Sequence, residues 1–251
     1  KRVGARGGPP SPQGRRKVES GRIEGIDTLR GIAIVAMIAY HFAFDLRFFG
    51  LIRADFENDP FWLGARAAIV SSFLLLVGVS LVLARQFGVP AARFARRVGV
   101  IALCALAATI GSYAIFPERF IYFGILHCIA VSSVLARPLA GRPALALALG
   151  TAAIVAGLVV SHPVFDTRAT SWLGFNTVKP PTEDFVPLFP WLGVVLLGIA
   201  LGHELLRRDF SPVAPLARAP EVLRWLGRHS LAVYMLHQPI LLGLLWVMFR
   251  R

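Results

Sequence analysis

The chain has 251 residues, 56% of them apolar, with a formal net charge of +13 and a mean hydropathy of +0.64. A soluble domain of this length fills its core with much less apolar content, so lipid is the expected solvent for most of the chain. The basic residues sit in an N-terminal tail and in short loops between apolar blocks, which is the pattern of membrane topology and anionic lipid rather than of nucleic-acid binding.

Residues 1–22 are rich in Gly, Pro, Arg and Lys and read as a disordered basic tail; residues 23–251 read as one transmembrane domain. A helix crosses a bilayer with roughly 20 mostly apolar residues. By that measure the fold is all-α, a polytopic bundle of about seven transmembrane helices, with spans near 26–48, 61–84, 95–116, 120–137, 143–161, 185–206 and 229–249. The tail and the even-numbered loops carry most of the arginine, including Arg85, Arg93, Arg96, Arg97, Arg137, Arg142, Arg207 and Arg208. The tail and these loops are therefore expected in the cytoplasm, with the odd loops on the far side. The two cysteines, Cys104 and Cys128, lie in apolar blocks and indicate no disulfide framework.

The first span holds the densest set of ionisable groups. At about 100° per residue, Asp27, Arg30, His41 and Asp45 fall near one face. Arg30 sits near the cytoplasmic mouth and His41 about 16 Å further in. Asp45, one turn beyond His41, is placed to support it as a general base. The same residues serve as well for a helix–helix polar contact with a snorkelling Arg30. His127 in the fourth span and His237 in the last are candidates to join His41 or to make interhelical hydrogen bonds. His203 and His229 sit at cytoplasmic helix ends and are expected to face solvent. Haem is not expected, because CxxCH is absent and no two histidines suit bis-histidine ligation; no metal site is expected either. Glu183 and Asp184 enter the sixth span at its outer end, as helix-dipole partners or as acceptor-binding carboxylates. Small-residue stripes in the third and fifth spans suit helix contacts within a chain or between copies, leaving a homo-oligomer open.

Five blocks in order, GIDTLRGIAIVAMIAYHF, FLLLVGVSLVLA, GILHCIAV, DFVPLFPWLGVVLLGIALG and GRHSLAVYMLHQPIL, resemble bacterial relatives of the heparan-alpha-glucosaminide N-acetyltransferase catalytic domain. The similarity runs from about residue 24 to 249. The arginine–ten residues–histidine spacing of Arg30 and His41 also resembles acyltransferase family 3. The resemblance implies an acyltransferase of the bacterial inner membrane. It would pass an acyl group, acetyl above all, from cytoplasmic acyl-CoA to a hydroxyl or amine of an envelope glycan or small-molecule acceptor. His41 would be the base or acyl carrier, and Arg30, with Arg96 and Arg97, would hold CoA. His127, Glu183, Asp184 and His237 would line the acceptor side. The position matching His41 tends to be asparagine in the lysosomal enzyme, whose catalytic histidine lies in the following loop. Here that loop, LRFFGLIRADFENDP, has none, so either His41 takes the role or the chemistry is lost. The alternatives are a transporter or flippase using the same polar line, and a non-catalytic membrane protein.

Overall fold

The computed structural model describes residues 23–249; the expected disordered tail at 1–22 lies outside the described residues. Eight α-helices carry the fold among these residues: α1 (Glu24–Phe48), α2 (Pro60–Gln86), α3 (Ala91–Ile115), α4 (Ile125–Ala136), α5 (Pro143–Val159), α6 (Leu188–Arg207), α7 (Glu221–Arg228) and α8 (Ser230–Phe249). Short 3-10 turns fall at Arg137–Leu139, Pro163–Phe165, Ser171–Leu173 and Ser211–Arg218. α1, α2, α3, α6 and α8 are long and apolar enough to cross a membrane, and α4 and α5 are shorter apolar helices. Large apolar side chains such as Leu103, Ile110, Leu158, Val159, Val247 and Met248 point outward, as a lipid solvent requires. The chain is a polytopic helical membrane bundle.

Local chemistry sets the helix starts. Asp59 caps α2 by accepting from the Phe61 amide at 2.8 Å, and Pro60 stands at the first helical position, where its missing N–H costs nothing. α1 stops at Gly50, whose φ of +72° suits glycine.

The fourth expected span departs most from the sequence reading. Its helix has 12 residues, about 18 Å of rise, too short to cross alone. The chain before it runs in irregular form against the segment leading into α6. Glu183 N donates to Arg119 O at 3.0 Å and Val186 N to Phe123 O at 3.3 Å. Two non-helical segments thus satisfy part of each other's backbone against the protein interior, the condition under which irregular chain is tolerated at membrane depth. The long loop after α6 also carries structure: the Ser211–Arg218 turn and α7 both pack on α1.

α6 is the hub, packing on α2, α4 and α5. Leu74, Cys128, Ala146, Val195, Leu196 and Ile199 fill the core between these helices. The approach of α2 to α6 is backbone against backbone. A Cβ on Gly78 would press on Val195 O and stand 2.6 Å from the carbonyl carbon of Gly198. α1 and α7 meet in the same way, a Cβ on Gly227 falling 2.7 Å from the Asp27 carbonyl carbon. α3 is held more lightly, with Ile101 and Ala105 its only buried residues.

Candidate active site

The arginines of the expected CoA site do converge. Arg30 on α1 and Arg96 and Arg97 on α3 line one cavity of about 440 Å³, together with Arg93. Its walls are apolar: Phe73, Leu76 and Val77 from α2, Ile101 from α3, Leu126 and Ile129 from α4. Arg30 is anchored rather than loose. Nη1 pairs with Asp27 Oδ1 at 3.0 Å and Nη2 donates to Ser80 Oγ at 2.7 Å. Neither Ser80, which lies in the FLLLVGVSLVLA block, nor Arg93, counted only among the loop arginines, was among the site residues expected from the sequence. Arg93 lies one helical turn before Arg97, so its place on the cavity face was available from spacing.

Deeper along α1, His41 meets α8. His41 Nδ1 and His237 Nε2 are 2.7 Å apart, with ring planes 22° from parallel. His237 Nδ1 lies 2.6 Å from the Tyr234 carbonyl oxygen. A carbonyl only accepts, so the proton of that bond sits on His237 Nδ1. In the neutral pair His237 Nε2 is then the acceptor, His41 Nδ1–H donates to it, and the lone pair of His41 resides on Nε2. The backbone of α8 thereby orders a basic nitrogen on α1. Tyr40, Phe56 and Trp62 form an edge-to-face aromatic group beside His41.

Asp45 does not join His41. Its Oδ1 accepts from Gln238 Nε2 at 2.7 Å, so α8 takes it just as it takes His41. One turn of separation permits contact within α1, but a buried carboxylate goes where a donor faces it.

The expected acceptor-side residues divide. His127 caps its own helix: its Nδ1 accepts from the Gly124 amide at 3.2 Å, and its Nε2 is 3.3 Å from Thr109 Oγ1. Glu183 pairs with Arg119 at 2.9 Å. Asp184 turns inward and accepts from the Ile125 amide at 2.9 Å, at the N-terminus of α4, where the dipole favours an acid. Neither acid hydrogen-bonds to the His41–His237 pair. His203 is drawn inward as well, its Nε2 lying 2.9 Å from the Ala140 carbonyl oxygen.

Among the described residues no group of three His, Cys, Asp or Glu could hold a metal ion.

No curated protein and no solved structure matches the chain. One family model does, over residues 22–239, described as heparan-alpha-glucosaminide N-acetyltransferase, catalytic. That span takes in the arginine cavity, the His41–His237 pair and the Asp45–Gln238 pair. The chain belongs to this family of membrane acetyltransferases.

Proposed function

We propose that the chain moves an acyl group, acetyl by family, from acyl-CoA to a hydroxyl or amine of a cell-envelope glycan or small-molecule acceptor. The observation that carries this reading is the placing of two features on one helix. Arg30, with Arg93, Arg96 and Arg97, marks one end, and the ordered Nε2 of His41 lies about 16 Å deeper along α1. CoA has an anionic head and a long neutral arm ending in the thioester. Guanidinium groups suit the phosphates, and the arm carries the reacting carbon toward His41. In this reading the membrane is a bacterial inner membrane and the arginine end faces the cytoplasm, which the positive-inside pattern supports.

In the direct reaction His41 Nε2 takes the proton of the acceptor hydroxyl or amine. The freed oxygen or nitrogen attacks the thioester carbonyl, the C–S bond breaks, and the departing sulfur receives the proton from His41. His237 keeps the imidazole in the required tautomer throughout. In the two-step variant Nε2 attacks the thioester carbon, the C–S bond breaks and CoA leaves as its thiolate; the acceptor then attacks the acyl-imidazolium, the C–N bond breaks to restore neutral His41, and the acceptor's proton ends on the CoA sulfur.

The test is purified protein in liposomes with labelled acetyl-CoA and an envelope extract, following CoA release, label on protein and label on the extract. Transfer supports the reading, and label trapped on the protein selects the two-step variant. A folded protein that neither binds acyl-CoA nor releases CoA would overturn it. Arg96→Ala with Arg97→Ala should raise the KM for acetyl-CoA by about tenfold or more, with the loss in KM rather than kcat. An unmoved KM would remove α3 from the donor site.

A further inference from the structure

The seam between α1 and α8 has a second rung that the acyl-transfer reading does not use. Asp45 is 1% exposed, and its Oδ1 accepts from Gln238 Nε2 at 2.7 Å. The remaining oxygens of the two groups, Asp45 Oδ2 and Gln238 Oε1, are both buried, and among the described residues neither has a hydrogen-bond partner. No cation comes to Asp45 from its own helix or from α8. The His41 ring nitrogen nearest α8 is engaged with His237, and the Arg47 guanidinium lies 5.9 Å from the Phe56 ring centre.

A bare carboxylate held by one neutral amide is an arrangement that a membrane interior strongly disfavours. The two orphan atoms are both acceptors, one on each partner, so one added donor between them would satisfy both. A hard metal cation is a poor candidate, since such ions take six or more oxygen ligands. A proton on Asp45 Oδ2 needs only the two atoms present. The acid O–H then donates to Gln238 Oε1 while the amide N–H donates to Oδ1, closing a two-bond ring. We propose that Asp45 carries a proton and forms with Gln238 a neutral acid–amide pair that locks α1 to α8. Asp45 is then no counter-charge for His41. The adjacent residues His237 and Gln238 each hold one α1 side chain through an uncharged hydrogen bond.

Infrared spectroscopy of the purified full chain, in H2O and D2O near neutral pH, reads this directly. The wild type should show the C=O stretch of a protonated carboxyl, shifted down in D2O and missing from Asp45→Asn. In Gln238→Leu the band should persist but move to higher frequency, because the carbonyl has lost its donor. Labelling the aspartate carboxyl carbons with 13C in Asp184→Asn, which removes the other aspartate that turns inward, moves the same band, so the result does not require Asp45→Asn to fold. Asp45→Asn should melt close to the wild type, since an amide offers a donor and an acceptor at the same places, and Asp45→Leu should melt lower. Carboxylate stretches alone in the wild type would mean an ionised Asp45 and would overturn the assignment. A protonated band that ignores Gln238→Leu would overturn the pair. Neither the band nor the melting depends on acyl transfer, so the pair can fail while the role of His41 stands.

Discussion

His41→Ala should lower acyl transfer by about a hundredfold to ten-thousandfold, the range expected when a positioned general base is lost, while acyl-CoA still binds. On the proposed reading the two effects separate, because the donor's charged end would be held at the arginine cavity, three helical turns from His41. CoA release at fixed donor concentration measures the first effect, and calorimetric titration with acetyl-CoA measures the second. His237→Gln offers an internal comparison: a glutamine carbonyl can accept from His41 Nδ1–H, so it should keep more activity than His237→Leu, which cannot. Equal CoA release from wild type and His41→Ala would move the base elsewhere, and His127, which reaches the inner face of α3 through Thr109, would be the next residue to substitute.

A large effect on folding should come from one methyl group. Gly78→Ala puts a Cβ into the α6 backbone at Val195 and Gly198, where neither helix has a side chain that can swing away. Overpacking of this kind costs about 1–3 kcal/mol, and more where backbone must move. Against the usual marginal stability of a folded chain, a marked fall in thermal midpoint and loss of monodisperse protein in detergent should follow. Gly99→Ala on α3 makes the opposite case. Nothing lies within 4 Å of the added Cβ, and alanine favours helix by about 1 kcal/mol over glycine, so its midpoint should hold or rise. If both variants melt alike, the close approach of α2 and α6 is not what holds the bundle together.

The spans and the polar character of α1 were legible in the sequence because both are properties of single helices. Apolar length marks a crossing, and the angular spacing of Arg30, His41 and Asp45 marks a face. Partners across the bundle were not. His41 meets a residue 196 positions away and Asp45 one 193 positions away. Period along α1 cannot say which helix faces it, so the local reading paired His41 with Asp45. Gln238 left a signal that went unused, as an amide directly after His237 in an otherwise apolar helix. The short α4 was hidden for a related reason. FIYFGILHCIAV is apolar but for His127, and only the pairing of residues 119–123 with 183–186 shows where helix gives way to irregular chain. Glu183 and Asp184 are neighbours in sequence but divide between Arg119 and Ile125.

On the same proposed reading, the light attachment of α3 would give the donor a mechanical role. Arg93, Arg96 and Arg97 ride on a helix that packs on α4 and touches α8, while Arg30 is tied to α1 and α2 through Asp27 and Ser80. A polyanion gripped by both sets acts as a strut between a loose wall and a firm one. Its binding energy would then appear as resistance to melting, about 2.7 kcal/mol at a concentration a hundred times Kd. The protein without donor would then be the softer molecule, and softest along the α3 wall.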